Sequence, residues 1–438
     1  MTTPRTPLPL SAPPRPDEER FQPYYADDLV TLLHGDCLDA MRSLPDASVD
    51  AVVTDPPYGL GLMGKAWDVL PPGLEWAEAC LRVLKPGGYI LAFGGTRTWH
   101  RLAVAIEDAG FELRDSIAWL YGSGFPKSRD VSKAIDKAAG ADRAVVAERT
   151  YADGAPGRSR SGTDLGVLND DGWLPTPRRF DTAPATDAAR EWQGWGTALK
   201  PAFEPIVVAR KPLVGTVAAN VLQHGTGALN IDACRIATSP EDATAMARCN
   251  TPGSGRFQPE RDERAGHAFG RSSPSAPLDT TQGRWPANVV LDESQAEGLD
   301  RQTGVTTSRV GKPRGADAGE GWGMTATGSE YADAGGASRF FPTFRYEAKA
   351  PTIERPRNGE VIHPTVKPLD LMRWLVRLVT PRGGVVLDPF LGSGTTAEAC
   401  VLEHLRCIGI EREADYLPLT IARLSKPLQA GFDFEVTA

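Results

Sequence analysis

The 438-residue sequence predicts an α/β fold, a mostly parallel sheet with helices on both faces, interrupted by a large irregular insertion. Three observations predict it. From Leu29 to about Gly122, short apolar runs rich in β-branched residues alternate with helix-length stretches. The same alternation resumes over residues 361–424. Between the two lie long Gly-, Ser- and Arg-rich stretches with little periodicity. Strands covered on both faces read as near-continuous apolar runs, and these do.

Taken in order, the strands expected are Val30–Leu33, Ala51–Val53, Tyr89–Phe93 and Ile117–Leu120. The helices between them are Leu38–Leu44, Gly73–Leu84 and Trp99–Ala109. Residues 1–23 are Pro-rich, hold no usable apolar stretch and read as a disordered tail. Residues 141–199 lack periodicity and read as a flexible insert, followed by a return strand at Pro205–Ala209. Residues 214–340 hold only the apolar segments Val217–Leu222 and Asn288–Leu291. Helix Leu369–Val379, strand Val385–Leu387, helix Thr395–Leu405, strand Cys407–Ile410 and helix Tyr416–Leu424 complete the pattern before a tail at 425–438.

Composition excludes some classes. No apolar run approaches the ~18 residues of a membrane span. Six Cys contain no CxxC pair, against a zinc knuckle or a disulfide scaffold, and the expected compartment is the reducing cytoplasm. The six His show no metal-ligand spacing, so no metal is expected. The formal charge of -8 argues against a simple nucleic-acid coat. That charge is uneven: residues 1–140 carry 14 basic against 19 acidic side chains, and residues 141–350 carry 24 against 26. In the middle region 20 of the 24 are Arg, the residue suited to phosphate and guanine contacts; a GC-rich genome would produce the same bias.

The chemistry stands at the strand ends, where ligands bind in an open α/β sheet. One strand runs into His34-Gly35-Asp36, the next into Asp55-Pro56-Pro57-Tyr58, a third into Gly94-Gly95, a fourth into Asp388-Pro389-Phe390-Leu391-Gly392-Ser393-Gly394-Thr395, and a fifth ends at Glu411. A Gly-x-Gly turn between strand and helix lets the backbone approach a ligand and aims helix amides at a carboxylate. An acid at the end of the next strand suits ribose hydroxyls. The loop lacks Gly-Lys-Ser/Thr and the full Gly-x-Gly-x-x-Gly, so a nucleoside with a small anionic tail fits better than a pyrophosphate. S-adenosylmethionine has that shape, although the turn alone is also compatible with an ordinary tight turn.

Asp55-Pro56-Pro57-Tyr58 suits an exocyclic amine. The Asp55 carboxylate and the Pro56 carbonyl, next to residues without N–H, both accept hydrogen bonds from one NH2 group. Those bonds draw the nitrogen lone pair out of conjugation and aim it at an electrophilic methyl. The Tyr58 ring stacks on a base that has left the duplex. No Pro-Cys pair exists in the chain, which removes the nucleophile of cytosine-C5 methylation.

With Asp388–Thr395 and His363-Pro364-Thr365-Val366-Lys367-Pro368, this motif resembles the S-adenosylmethionine-dependent DNA amino-methyltransferases of the β group, in which the catalytic motif precedes the cofactor motif. Gly35-Asp36-Cys37-Leu38, Asp50–Tyr58, Leu84–Gly88, Phe203–Ile206 and Arg345–Lys349 also look like this family, and Met63–Asp68 resembles its phage and prophage members. The likeness covers 29–140, 200–235 and 284–424. It implies a circularly permuted Rossmann-like fold. Residues 24–140 become the catalytic half, 141–199 a flexible insert, 200–213 a return strand, 214–340 a target-recognition region and 341–424 the cofactor-binding half.

The resemblance also implies roles. Asp55, Pro56, Pro57 and Tyr58 hold the target amine. Asp388, Phe390, Gly392, Ser393, Gly394 and Thr395 cradle the cofactor's methionine part. Glu411 takes the ribose hydroxyls, Asp36 the adenine amine, and His363, Thr365 and Lys367 lie near the methionine end. His363 as a helix-entry residue and Lys367 as a solvated lysine are the plainer readings. The implied function is transfer of a methyl group from S-adenosylmethionine to adenine N6 in double-stranded DNA. The alternatives are cytosine N4, or a DNA-binding protein with an idle methyltransferase fold. A homodimer and a restriction partner are further expectations from the family. Arg235, Arg248, Arg256, Arg261, Arg264, Arg271 and Arg284 are candidate DNA contacts or a solvated surface, and Trp195, Trp285 and Trp322 are expected to pack internally, with stacking on DNA as the alternative.

Overall fold

The computed structural model describes residues 22–61, 68, 71–122, 124, 128–148, 180–237, 283–307, 334–344, 357–358, 361–363 and 365–425. Residues 1–21 of the Pro-rich tail, Met63–Trp67, Arg248, Arg256, Arg261, Arg264, Arg271, Trp322, Arg345–Lys349 and Pro364 lie outside the described residues. Two compact units divide the chain. One comprises residues 1–123 and 202–438, and the other is Gly124–Pro201.

The first unit is built on a ten-stranded sheet. Its strands in chain order are β1 (Tyr25–Ala26), β2 (Val30–His34), β3 (Val49–Thr54), β4 (Leu84–Phe93), β5 (Glu112–Leu120), β6 (Phe203–Arg210), β7 (Val289–Asp292), β8 (Thr343–Phe344), β9 (Val385–Asp388) and β10 (Arg406–Glu411). They lie in the order β1-β2-β10-β9-β3-β4-β6-β5-β7-β8. The C-terminal strands β9 and β10 therefore sit between the N-terminal β2 and β3, all four parallel. This is the expected α/β fold, with the strands that lead into the Asp55 and Asp388 motifs adjacent although far apart in sequence. Two strands reverse direction: β1 against β2, and β6 against both β4 and β5.

Alternation along each strand serves two cores. On one face Val30, Leu32, Ala51, Val53, Leu91 and Val386 pack with helix Leu369–Val379 and the Ala397–Cys400 side of helix Thr395–Leu402. On the other, Leu33, Val49, Val52, Ile90 and Leu387 pack with helices Cys37–Ser43, Leu74–Val83 and Trp99–Asp108. Period-2 strands with both faces apolar need cover on both sides, and this sheet has it.

Several expectations are corrected. The strand expected at Tyr89 begins at Leu84: the turn signal Lys85-Pro86-Gly87-Gly88 is absorbed by a register shift between Val49 and Ala51, with Gly87 at φ 79. The helix expected to reach Leu405 stops at Leu402, because His404 takes a left-handed φ of 54 before β10. Helix Glu293–Thr303, capped by Asp292, has too few apolar residues to announce itself. The region 214–340, read as an insertion, contributes β7 to the main sheet.

The unit Gly124–Pro201 was expected from residue 141 onward to be loop. Helix Val131–Ala138 precedes that stretch, and the described part of the stretch instead holds a hairpin of Val145–Glu148 with Phe180–Thr182 and helix Asp187–Glu191. The hairpin strands and helix Asp187–Glu191, three to five residues each, are too short for periodicity to register. Asp136 organises them, accepting from Arg143, the Ala185 and Thr186 amides and the Thr186 hydroxyl. Trp195 and Trp285, expected to be packed inside, are 60% and 62% exposed. Trp195 meets Trp192 edge-on at 5.0 Å, and the Arg235 guanidinium lies 5.4 Å from the Trp285 ring. No helix among the described residues is long and apolar enough to cross a membrane.

Candidate active site

β3 and β9 are hydrogen-bonded neighbours, with Val386 opposite Ala51 and Leu387 opposite Val52. The loops that follow them leave the same sheet edge. One hydrogen bond ties them: Thr54 Oγ1 donates to Asp388 Oδ1 at 2.6 Å. The first loop carries Asp55–Tyr58 and the second carries Asp388–Thr395, so two motifs more than 300 residues apart share one rim.

The second loop is organised by backbone. Asp388 is 2% exposed and accepts from Thr54, from the Phe390 amide at 3.0 Å and from the Thr396 hydroxyl at 2.5 Å. Burial outweighs these bonds and pushes its carboxyl up to about 6. Through these three donors Asp388 ties the start of its loop to β3 and to helix Thr395–Leu402. Gly392 and Gly394 have φ of 58 and 82. A Cβ on Gly392 would come within 2.8 Å of His363 Nε2, and one on Gly394 within 2.7 Å of Thr420 Cγ2. Both positions thus require glycine for conformation and for space. Beneath the turn, the buried Arg423 donates to the Ser393 carbonyl at 2.9 Å and pairs with Glu398. Ser393 and Thr395 are buried, and Phe390 rests on Trp76 with ring centroids 5.9 Å apart.

Glu411 closes the rim at the end of β10. Its carboxylate accepts the Gly392 amide at 2.8 Å and the Glu413 amide at 2.7 Å. Burial is the main cause that pushes it up to about 7, helped by the charges of Glu413 and Asp388. A buried carboxylate held by two amides, with no cationic partner among the described residues, is a ready acceptor for hydroxyl donors. Asp36 stands one strand further on, beyond Gly35, whose amide donates to the Glu411 carbonyl at 3.0 Å. Asp36 also caps helix Cys37–Ser43 through the Leu38 amide. His363 stacks edge-on against Tyr416 at 4.5 Å and contacts the Thr365 carbonyl through Nδ1. Burial lowers its pKa to about 4, so the ring is neutral at physiological pH.

The first loop is organised by side chains. Tyr58 Oη lies 2.9 Å from Asp55 Oδ1 and 3.0 Å from Glu204 Oε2, so its one proton serves either carboxylate. Lys367 Nζ pairs with Asp55 Oδ2 at 2.8 Å and Glu204 Oε2 at 3.1 Å, and donates to Tyr58 Oη at 3.1 Å. The ammonium also sits 4.8 Å from the Phe93 ring centre. Burial alone would lower the Lys367 pKa, but Asp55 and Glu204 raise it above the ordinary lysine value. Tyr58 is raised far above an ordinary phenol, by burial first and then by both carboxylates. Pro56 is buried, and Thr98 Oγ1 holds the Tyr58 carbonyl at 2.6 Å. Gly59 and Gly61 are tied to Asp68, the last residue of the Met63–Asp68 segment.

The expected site residues therefore gather at one edge, with Lys367 on the Asp55 loop. Glu204 carries no expected role from the sequence, where it stands only within the family-like Phe203–Ile206 stretch. The missed signal is directional: β6 runs against its neighbours, so its first residues, not its last, reach the active rim. The Gly94 amide on the Pro205 carbonyl at 2.9 Å marks that alignment. Thr54, Thr420 and Arg423 were likewise unassigned, because a buried polar role depends on neighbours that spacing does not reveal.

A family profile described as DNA methylase matches residues 49–422. The type II methyltransferase M.HpaI of Haemophilus parainfluenzae is 34% identical over 113 residues, 24% of this chain and 36% of that protein. The type II methyltransferase M.BamHI of Bacillus amyloliquefaciens is 34% identical over 86 residues, 17% and 20% of the two chains. The aligned stretches thus span well under two thirds of either relative. Among solved structures, an M1.HpyAVI–SAM complex aligns over 91% of this chain and 100% of that one, at 16% identity and TM-score 0.38. The cytosine-N4-specific PvuII DNA methyltransferase aligns over 93% and 90%, at 13% identity and TM-score 0.42.

Proposed function

This chain belongs to the DNA methylase family, and from that premise we propose that it transfers a methyl group from S-adenosylmethionine to the N6 amine of adenine in double-stranded DNA. The observation that carries the proposal is the Thr54–Asp388 bond, which holds an amine-accepting loop beside a glycine turn with a buried acid. The donor set fits the cofactor: Gly392 and Gly394 hold the turn that opens helix Thr395–Leu402 in left-handed conformations, and Glu411 has no cationic partner among the described residues.

The cofactor's sulfonium supplies an already activated methyl group, so no nucleophilic residue is required. Glu411 would take the ribose hydroxyls, the Gly392–Thr395 turn the methionine part, and Asp36 the adenine amine. Asp55 and the Pro56 carbonyl would accept the two N–H bonds of the target amine, and Tyr58 would stack on the extruded base. Methyl transfer would leave the carbon–sulfur bonding pair on sulfur and cost the nitrogen one proton, which Asp55 would be placed to take. Positioning supplies most of the acceleration, with nitrogen and methyl carbon ~3 Å apart.

Adenine is preferred to cytosine on Asp55, since the adenine-directed members this chain resembles carry Asp at that position. The test is to incubate the protein with S-adenosylmethionine and duplex DNA of diverse sequence, then to sequence with modified-base detection. N6-methyladenine at a defined motif supports the reading, and N4-methylcytosine reassigns the base. Absence of both, with Asp55→Ala indistinguishable from the parent, ends it.

A further inference from the structure

We propose that Glu204 is a positioning residue whose charge offsets that of Lys367, so that the Asp55 cluster stays net negative where the target amine becomes positive. The inference rests on the amine-methylation reading above and adds a component that reading does not contain.

The geometry compels a question about charge. Lys367 Nζ, only 2.8 Å from Asp55 Oδ2, is a cation beside the group that must accept hydrogen bonds and then a proton. Alone, it would cancel the Asp55 charge just as positive charge moves from sulfur onto nitrogen. Glu204, 3.1 Å from the same ammonium, restores the balance: two carboxylates against one ammonium leave one net negative charge. Tyr58 Oη bridges the two carboxylates and holds them in register. Phe93 and Tyr58 present ring faces to the ammonium at 4.8 and 5.3 Å, which confines it between the acids. The side chains of Lys367, Asp55 and Glu204 are 11%, 22% and 21% exposed, so water screens them only partly.

The titratable groups facing Asp55 come from four elements: Tyr58 on its own loop, Glu204 on β6, His363 and Lys367 on the run before helix Leu369–Val379, and Asp388 on β9. His363 is neutral above about pH 4, and the Asp388 carboxylate is taken up by Thr54, Phe390 and Thr396. Among the described residues, Lys367 and Glu204 are therefore the two charges that tune Asp55, and they act in opposite directions.

The test measures kcat and KM against pH for DNA methylation by the full chain. Glu204→Gln keeps shape and loses the charge; its acid limb should move down by about one pH unit, since a cation beside Asp55 is left uncompensated. Its plateau kcat should fall ~10-fold, because the site no longer offsets the developing positive charge. Lys367→Met should move the acid limb up by about one pH unit. Glu204→Asp, which keeps the charge, should return the limb to its parental position. A purely structural role would lower activity without opposed limb shifts. Shifts in the same direction, or a Glu204→Gln variant with parental limb and kcat, overturn the proposal. If Glu204→Gln does not fold, the Lys367→Met limb decides alone, and an unmoved limb overturns it. A parent protein that methylates no DNA instead sinks the underlying function, a result distinct from either.

Discussion

Asp55 and Asp388 end neighbouring parallel strands at the same rim, yet they are built for different tasks. Asp388 is 2% exposed, and three protein donors occupy its carboxylate. Asp55 is 22% exposed, and its partners are side chains drawn from separate elements, Tyr58 and Lys367. The Asp388 loop is a backbone scaffold, tightened by glycines and braced from below by Arg423. The Asp55 loop is an arrangement of charges held open to a ligand. Identical residue types at adjacent strand ends therefore do not imply identical roles. The satisfied carboxylate fixes shape, and under the proposed function the accessible one carries the chemistry.

Substitutions can break that contrast. The largest expected effect is on the open loop: Asp55→Ala should lower kcat by ~10³-fold, the scale of a lost general base, while calorimetric affinity for S-adenosylmethionine changes little. Asp388→Ala should do the reverse of a catalytic lesion. It strands the Thr54 and Thr396 hydroxyls and the Phe390 amide, and should cost about 3 kcal/mol in denaturant melts. If Asp388→Ala melted like the parent and lost only kcat, the division of roles would be wrong. Gly394→Ala should cost about 2 kcal/mol, combining left-handed strain with the Thr420 contact, and should weaken cofactor affinity. Unchanged affinity in that variant would remove the turn from the cofactor site.

The same contrast explains what the sequence disclosed. Helix Leu369–Val379 was legible to the residue, because seven of its residues are buried on a clear 3.6-residue pattern. Strand ends were legible because glycine, proline and acids stand out after apolar runs. Glu204 was not, since its relevance depends on β6 running backwards, and an apolar strand reads the same in either direction. The elements of Gly124–Pro201 were not legible either. They are held by polar bonds to Asp136 and Arg143 rather than by apolar faces, and hydrophobic patterning has no purchase on those.

The smallest expected effect sharpens the comparison within the cofactor loop, where Glu411 stands between the two types: buried like Asp388, yet without a side-chain donor. Its pKa is raised from the ordinary 4.5 to about 7, chiefly by burial. The sign follows from linkage. Between these values the unfolded chain has released the proton and the folded chain retains it, so this group's contribution to stability is full below about 4.5 and is lost as pH rises through about 7. Hydroxyl donors favour the ionised form, so cofactor binding should release a proton below neutrality and tighten up to ~10-fold between about pH 6 and 8. His363, neutral above about pH 4, adds nothing in that window. Calorimetry in buffers of different ionisation heat measures both affinity and proton release. Glu411→Gln should bind more weakly and abolish the pH dependence together with the released proton. A Gln variant that kept the pH dependence would assign it to another group and leave Glu411, like Asp388, a brace of the turn.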